Sequence, residues 1–424
     1  MINDFQFTFR QLCSWMVKNG AVIFAFSIPL HMLCTSYALI IWSLFSIFYL
    51  LVVGYSSNEF INVVKKTKSI GFFIVLYVFL LFGLLSSENL IVGIEKVSIT
   101  IPFIILPVLF WVNKELLNIK LVLNAFFLGL VVSLVISAVC AIAVDNFLIP
   151  NFHLGLDSGT SYAQGGFNIF YHPSYFSMLV TIAMALLLFQ FESISIAQWV
   201  RIAILVLCAS LIFLISSKAG VLISIVLFLI KSVHVLLSKS TPFSKLLILF
   251  TIVVPSIFLF QNKRIQNMIT DFNDILQQET PIHPTESTAM RWSIWEKAIL
   301  LILEKPIFGY GTGDANDELM NAYKQEPELL NEIIVRKYNA HNTFFQLWLM
   351  IGFTGPAFIC IILLSVMNAL KFNFFSTAMA LIFFLNFLFE SMLDRHAGVM
   401  IFTFFVCLII VGKDSAFFQR KLSR

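Results

Sequence analysis

Charged residues are scarce in this 424-residue sequence. Asp, Glu, Lys and Arg together make up 12% of the positions, whereas a soluble chain carries about 25%. This scarcity excludes a water-soluble globular enzyme, a disordered protein and a nucleic-acid-binding protein. Hydrophobic residues instead fill 59% of the positions, and 47 of them are Phe. The composition therefore predicts an all-α membrane protein that crosses the bilayer many times.

Paired cysteine spacings and internal repeats are also missing. The six cysteines lie in or beside apolar segments without CxxC spacing, so we interpret them as small hydrophobic residues and not as disulfide partners or metal ligands. No acidic cluster has the spacing of a metal site. We therefore expect neither a metal nor another cofactor.

Long apolar runs make up most of the sequence. A helix needs about 20 largely apolar residues to cross a bilayer, and twelve runs approach this length. The fourth of them contains Pro102 and Pro107, which interrupt a regular helix. The twelve predicted spans cover residues 20–34, 36–54, 70–86, 97–112, 119–143, 173–191, 199–215, 219–237, 245–260, 343–366, 372–389 and 397–411.

The distribution of Lys and Arg predicts the orientation, because short cytoplasmic loops are enriched in both. With the N-terminus inside, cytoplasmic segments collect 16 basic and 5 acidic residues, and the outer side receives 11 basic and 18 acidic ones. Both termini are therefore predicted to be cytoplasmic. We expect residues 1–260 to form spans one to nine, 261–342 a large outer loop with interfacial helices, and 343–424 the last three spans and a tail. Long loops usually carry function.

Two outer cations occupy positions where an apolar residue would be less costly. Lys218 lies in the short joint between spans seven and eight, where it either holds a ligand or extends to the interface. Arg291 opens a pattern in which Trp292, Trp295 and Ile299 recur at helical spacing. An interfacial helix with Trp anchors has this pattern, and its first turn favours anions. The alternative is a solvated arginine on an amphipathic helix.

A histidine marks the outer start of span ten. His341 follows Arg336 and Lys337 by about one helical turn. An imidazole that titrates near neutrality is the usual general base, although histidines at a membrane surface more often have no catalytic role. His341 is therefore our candidate catalytic residue.

The short outer turn between the last two spans contains Glu390, Asp394 and Arg395, which could simply pair with one another. His172 opens span six at the end of a second long outer loop, residues 145–172, which connects spans five and six. Cations beside a base at interface depth suit a lipid-anchored diphosphate, because the acceptor hydroxyl needs a base and the leaving group needs positive charge. The candidate diphosphate ligands are Lys218, Arg291, Arg336, Lys337 and Arg395.

A glycine-rich segment follows the Trp-containing pattern. Gly309, Gly311 and Gly313 are spaced as in some phosphate-binding loops, but no Gly-Lys-Ser/Thr follows them and no strand precedes them. We favour a tight turn after a helix.

Three local patterns resemble the O-antigen ligase/polymerase family of bacterial envelope glycosyltransferases. They are Ser217-Lys218-Ala219-Gly220, Arg291-Trp292…Trp295…Ala298…Pro306-Ile307-Phe308-Gly309-Tyr310-Gly311, and His341-Asn342-Thr343…Gly352-Phe353-Thr354-Gly355. The resemblance implies a GT-C-type helical fold in the bacterial inner membrane. Such an enzyme transfers a glycan from undecaprenyl diphosphate to an acceptor sugar in the periplasm, without a nucleotide sugar or a required metal.

The resemblance also implies residue roles. His341 would activate the acceptor hydroxyl, and Lys218 and Arg291 would hold the diphosphate. The family typically has Arg where Lys218 stands, so the bidentate guanidinium is lost there. Arg336, Lys337 and Arg395 are added from their positions alone.

Ligases and polymerases share these patterns. A ligase transfers the polymer to lipid A-core oligosaccharide, whereas a polymerase extends one carrier-linked chain with another. The His-Asn pair and the preceding Gly-x-Gly segment favour a ligase. A transporter or flippase for lipid-linked oligosaccharide is the alternative from another class, but such proteins generally show repeats and polar sites near the bilayer midplane. Besides donor and acceptor, the expected partners are membrane lipids, and no nucleic acid is expected.

Overall fold

Helices make up all the regular secondary structure among the residues that the structure describes. The structure is a computed structural model that describes residues 2–54, 57–145, 170–190, 198–215, 217–237 and 287–419. The predicted all-α class is confirmed for these residues. The number of twelve spans, the GT-C type and the division at residues 260 and 342 stay predictions.

Ten described α-helices precede residue 238. They are α1 (Ile2–Ser27), α2 (Met32–Val53), α3 (Ser57–Lys66), α4 (Phe72–Phe82), α5 (Leu90–Ile99), α6 (Pro102–Val112), α7 (Ile119–Asp145), α8 (Pro173–Phe189), α9 (Gln198–Ile215) and α10 (Lys218–Leu237). The helices described after residue 286 are α11 (Ser287–Glu304), α12 (Ala315–Tyr323), α13 (Pro327–Arg336), α14 (Thr343–Ile351), α15 (Thr354–Ala369), α16 (Phe374–Phe389), α17 (His396–Gly412) and α18 (Ala416–Gln419).

Several of these helices are suited to a membrane. Four described segments are long and apolar enough to cross one, namely Met32–Val53, Leu90–Val112, Ile119–Cys140 and Lys218–Leu236. Six shorter apolar helices accompany them, at Lys68–Phe82, Pro173–Phe189, Gln198–Ile212, Thr354–Ala369, Phe374–Phe389 and His396–Gly412. The predicted ninth span, 245–260, lies outside the described residues. The chain is a multi-pass helical membrane protein.

The first predicted span was wrong in its bounds. The structure ends α1 at Ser27 and begins α2 at Met32, so the chain turns inside the predicted range 20–34. Pro29 lies in this turn and lacks the N–H that would continue a helix. The His31 side chain then caps α2 by accepting a hydrogen bond from the N–H of Leu33. The apolar run continues through the turn, which is why hydropathy did not reveal it.

Two other predicted spans are each broken into two helices. Residues 97–112 divide between α5 and α6, and Pro102 is the first residue of α6. Residues 343–366 divide between α14 and α15, and Gly352 ends α14 with φ of 67°. A Cβ at Gly352 would lie 1.9 Å from the carbonyl oxygen of Ile307, so only glycine fits this close approach.

The protein interior is built around α8 and α17. Residues 397–412 of α17 are buried on every side, as are residues 175–189 of α8. A helix that is apolar all round belongs in the centre of a bundle. By contrast, α2 exposes Ile40, Leu44, Ile47 and Leu51. These residues recur at helical spacing and form an apolar face suited to lipid.

The two ends of the bundle gather different residues. At the end that we call the site end, the Tyr171 hydroxyl donates to the carbonyl of Ile28 at 2.8 Å. The Ser177 hydroxyl donates there to Ser217 at 2.9 Å. At the opposite end, called the far end, the Lys413 ammonium donates to the carbonyl of Lys66 at 2.9 Å. The elements predicted outside therefore meet at the site end, and those predicted inside meet at the far end.

Candidate functional site

A histidine and a carboxylate make direct contact at the site end. The Nδ1 atom of His341 lies 2.9 Å from Oε1 of Glu390. His341 lies two residues before the start of α14, and the intervening Asn342 caps this helix by accepting hydrogen bonds from two backbone N–H groups. Glu390 directly follows α16. The start of α14 and the end of α16 therefore bring together two residues that are 49 positions apart.

The ionisation of Glu390 determines which nitrogen of His341 is free. Burial alone would raise the pKa of Glu390, but the hydrogen bond and charge of His341 and the charges of Arg291 and His172 outweigh it and lower that pKa. An ionised carboxylate can only accept hydrogen bonds. The proton of a neutral His341 therefore lies on Nδ1, which leaves a lone pair on Nε2 to accept a proton.

The backbone of His341 adopts an unusual conformation. Its φ is 44°, in the left-handed region that costs a non-glycine residue roughly 1–2 kcal/mol. The backbone N–H of His341 donates to Oδ1 of Asn339 at 3.1 Å. This local bond contributes to holding the strained residue, and strain of this kind concentrates at functional sites.

Side chains also tie the segment around His341 to the turn after α16. The Asn342 N–H donates to the Ser391 hydroxyl at 3.1 Å. The Thr343 hydroxyl donates to the carbonyl of Glu390 at 2.7 Å and accepts from the N–H of Met392 at 2.9 Å. These bonds fix the distance between the histidine and the carboxylate.

Arg291 approaches the same carboxylate from the outer loop. Its Nη2 atom lies 3.9 Å from Oε2 of Glu390. Arg291 belongs to the predicted Trp-containing helix, which the structure forms as α11 and packs against α14. Because Arg291 and His341 contact different oxygens of Glu390, one carboxylate joins the candidate base to a candidate diphosphate ligand.

His172 and Arg395 lie in the surroundings of this cluster. His172 caps α8 by accepting a hydrogen bond from the N–H of Ser174. Burial by the packed atoms around it lowers the pKa of His172; Glu390 opposes this shift, and His341, Arg291 and Arg395 reinforce it. Arg395 is exposed and directly precedes α17. The mouth of the site thus combines two imidazoles with two guanidinium groups.

Lys218 begins α10 at the same end of the bundle. The Ser217 side chain accepts a hydrogen bond from the N–H of Gly220 at 3.1 Å and one from Ser177. Ser177 lies in the second turn of α8, which His172 caps. A Cβ at Gly220 would lie 2.6 Å from Cβ of Ser177, so the glycine allows this close helix contact. The structure therefore brings Lys218 to the site end, and Lys218 is half-buried.

Arg336 and Lys337 are placed more peripherally. Nη1 of Arg336 donates to the Tyr338 hydroxyl at 3.3 Å, and the Tyr338 ring packs edge-on against His341 with centroids 4.9 Å apart. Lys337 is exposed and ends α13 in a left-handed conformation with φ of 52°. Arg336 is therefore linked to His341 through one ring, whereas Lys337 faces solvent.

The glycine-rich segment is a packing turn, as its sequence indicated. The N–H groups of Tyr310 and Gly311 donate to carbonyls of α14, and those of Thr312 and Gly313 donate to Gly83 and Ser87. Four consecutive N–H groups are thus engaged by protein atoms and do not point at a ligand.

In the part of the chain that the structure describes, the acidic residues of the turn between the last two spans do not pair with Arg395 of the same turn, as the sequence had suggested. Glu390 pairs with His341 and Arg291, and Asp394 pairs with Lys96. Sequence reasoning missed these partners because they are 49 to 298 positions away along the chain. Among the described residues, no three His, Cys, Asp or Glu side chains are grouped as metal ligands, and metal independence stays a prediction.

Comparison with known families identifies the central part of the chain. The model of a family described as O-antigen ligase matches residues 203–362. Because of this similarity, residues 203–362 are called the O-antigen ligase family domain below. This match confirms the resemblance to the O-antigen ligase/polymerase family and supports a ligase/polymerase-type glycosyltransferase. No curated protein matches the chain.

The O-antigen ligase family domain contains only part of the cluster. Lys218, Arg291 and His341 lie inside the matched residues, together with Arg336 and Lys337. Glu390 contacts His341 from outside the matched range, and His172 and Arg395 lie near this pair. The Lys96–Asp394 pair is also outside the matched range. The site at the end of the bundle is therefore completed by helices on both sides of the family domain.

Proposed function

We propose that the protein is an O-antigen ligase-type glycosyltransferase. It moves a glycan from undecaprenyl diphosphate to a sugar hydroxyl of lipid A-core oligosaccharide. The observation that carries this proposal is the contact of His341 and Arg291 with opposite oxygens of Glu390. Two residues of the O-antigen ligase family domain, a candidate base and a candidate diphosphate ligand, are held on one carboxylate.

His341 acts as the general base. Its Nε2 atom takes the proton of the acceptor hydroxyl while the acceptor oxygen forms a bond to the anomeric carbon of the donor glycan. The bond between that carbon and the phosphate oxygen breaks, and undecaprenyl diphosphate leaves with the electron pair. Glu390 stabilises the imidazolium that forms, since its carboxylate stays on Nδ1.

Arg291 and Lys218 neutralise the leaving diphosphate. The guanidinium of Arg291 has five donors in a planar fork, so it can contact Glu390 and a phosphate at once. Lys218 supplies a single point charge from the start of α10. With these cations in place the reaction requires no metal ion, and no other cofactor takes part.

Arg336, Lys337 and Arg395 add positive charge around the mouth of the site. We propose that they attract the anionic donor, because exposed charges of one sign steer ligands and raise the rate of association. Their contribution is smaller than that of Arg291, since Lys337 and Arg395 are exposed and are screened by salt.

We further propose that the site end faces the periplasm and that both termini are cytoplasmic, in the inner membrane of a bacterium. Single cysteines in a cysteine-free background test this orientation. A cysteine at position 287 should react with a membrane-impermeant maleimide in intact spheroplasts, and one at position 66 should react only after lysis. The reverse pattern would contradict the orientation without affecting the proposed reaction.

The product distinguishes the candidate activities. Purified protein in proteoliposomes is given carrier-linked glycan with and without lipid A-core oligosaccharide. Glycan transfer that requires lipid A-core supports the ligase. Longer carrier-linked chains without that acceptor identify a polymerase, and movement of the donor across the bilayer without any transfer identifies a transporter.

A further inference from the structure

A buried ion pair links α5 to the turn after α16. The ammonium of Lys96 contacts Oδ1 of Asp394. The side chains are 15% and 5% exposed, so both charges are largely removed from water. Removing charges from water is costly, and a buried pair is weak evidence of a stabilising role. A function that requires a fixed geometry is the alternative explanation for such a pair.

The pair continues towards His341 through one amide side chain. Nδ2 of Asn339 donates to Oδ2 of Asp394 at 2.8 Å. Oδ1 of the same amide accepts from the backbone N–H of His341 at 3.1 Å. Each oxygen of Asp394 thus has one partner, and each end of the Asn339 amide has one. The amide cannot flip without losing both of its bonds.

This network acts on the part of His341 that is conformationally unusual. The φ of His341 is 44°, a value that most side chains avoid. The bond from Asn339 holds this backbone, and the backbone directs the ring towards Glu390. A loss of Lys96 would leave the buried Asp394 carboxylate without its counterion. The carboxylate would then turn towards water or another cation, and the Asn339 amide that is bonded to it would move with it.

Lys96 lies far from the site along the chain. It is 298 positions from Asp394, and it is outside residues 203–362, which the O-antigen ligase family model matches. The helix that contains it, α5, ends just before the break at Pro102. An N-terminal helix is thereby connected to the candidate base by three side-chain contacts.

We propose that Lys96 is a positioning residue for the transfer reaction, acting through Asp394 and Asn339 to hold His341 in its strained, Glu390-facing conformation. The inference rests on the proposed role of His341. Lys96 itself touches neither donor nor acceptor. It therefore affects the rate of the chemical step and leaves donor binding unchanged.

The kinetic test compares Lys96→Met with Lys96→Arg and with Glu95→Gln. Glu95 is an exposed neighbour on the same helix, so its variant is the matched control. We expect kcat to fall about 10- to 100-fold in Lys96→Met, because a small misplacement of a reacting group has effects of this size. The donor KM should stay within about twofold, and Lys96→Arg and Glu95→Gln should retain most of the wild-type kcat.

A double variant separates positioning from general damage. Lys96→Met with Asp394→Asn removes both charges and keeps an amide that Asn339 can bond. We expect its kcat to exceed that of Lys96→Met alone, which is the coupling that a double-mutant cycle measures. A raised donor KM with unchanged kcat would instead make Lys96 a donor ligand and overturn the proposal. Equal losses in all variants, or a kcat that follows the melting temperature, would also overturn it.

A second measurement does not depend on catalysis. Histidine-labelled protein gives ring NMR signals, and the signal of His341 is the one lost in His341→Gln. We expect Lys96→Met to shift this signal and Glu95→Gln to leave it in place. An unshifted signal in Lys96→Met would overturn the proposal that Lys96 positions His341. If the wild-type protein transfers no glycan while the shift is observed, the proposed function fails and the positioning of His341 by Lys96 stands.

Discussion

The two ends of the helical bundle use charge in different ways. At the site end, Lys96 and Asp394 are paired with exposures of 15% and 5%, and His341 and Glu390 with 19% and 12%. At the far end, the Lys114 side chain is 14% exposed, but its partner Asp414 is 63% exposed and lies 4.0 Å away. Charges that are paired this loosely can set the orientation of the chain simply by lying on one side of the membrane. The charges at the site end depend on individual partners.

Replacement of the candidate base should give the largest difference in transfer activity between a variant at the site end and one at the far end. His341→Ala removes the group that accepts the proton, and general-base catalysis is worth about 10²- to 10⁴-fold. We expect transfer to fall by this factor while the protein remains in the membrane. The measurement is the amount of glycan on lipid A-core per unit of purified protein. Lys66→Ala at the far end is the control, and equal activity in both variants would remove His341 from the mechanism.

Neutralisation of Glu390 should have the next largest effect. Glu390→Gln keeps the shape of the side chain, but removes the negative charge that fixes the tautomer of His341. We expect kcat to fall about 10- to 100-fold, as for other groups that orient a catalytic residue. Steady-state kinetics with varied acceptor measures this change. A variant with unchanged kcat would show that the carboxylate has only a structural role.

The lowered pKa of Glu390 also predicts a pH dependence of stability. A carboxyl group whose folded pKa lies below its ordinary value of 4.5 binds fewer protons in the folded state. The contribution of Glu390 to the free energy of unfolding is therefore complete when the pH is above the ordinary pKa. It is lost as the pH falls through the lower pKa of the folded state. The melting temperature of the wild type should fall more steeply than that of Glu390→Gln in this acidic range. Parallel curves would contradict the lowered pKa.

Removal of the diphosphate ligands should change donor binding. Arg291→Ala is expected to raise the donor KM about tenfold, because charge-assisted hydrogen bonds contribute roughly 1.5–3 kcal/mol. Lys218→Ala should raise it less, and Lys218→Arg should restore or tighten binding through the bidentate fork. Titrations of the donor at a fixed acceptor concentration measure the donor KM of each variant and so give the order of the effects. A larger effect at Lys218 than at Arg291 would reverse the assignment.

The smallest effect is expected at the far end. Lys114→Ala breaks an ion pair with an exposed partner, and such pairs contribute about 0–1 kcal/mol. Transfer activity should be unchanged, and the melting temperature should shift by only a few degrees. A loss of activity comparable to that of Glu390→Gln would show that the two ends do not differ as proposed.

Several features of the fold were evident from local patterns. The apolar runs predicted most of the helices, because burial in lipid acts on each segment separately. The Trp-containing pattern predicted a helix that the structure forms as Ser287–Glu304. The breaks at Pro29 and Gly352 were missed, although both residue types signal them. Each break lies within an apolar run and is at most four residues long, and hydropathy averaged over a span does not detect so short an interruption.

The sequence alone determined the all-α class of the protein, most of its helical segments and the two sets of residues that lie at opposite ends of the bundle. It also pointed to His341, Arg291 and Lys218. These residues stand in short motifs, and such motifs can be recognised without knowing which residues lie close together in the fold. Only the tertiary structure decided that Glu390 pairs with His341 and that Lys96 pairs with Asp394. Such pairs join helices that are distant in sequence, and their formation depends on how the whole bundle packs.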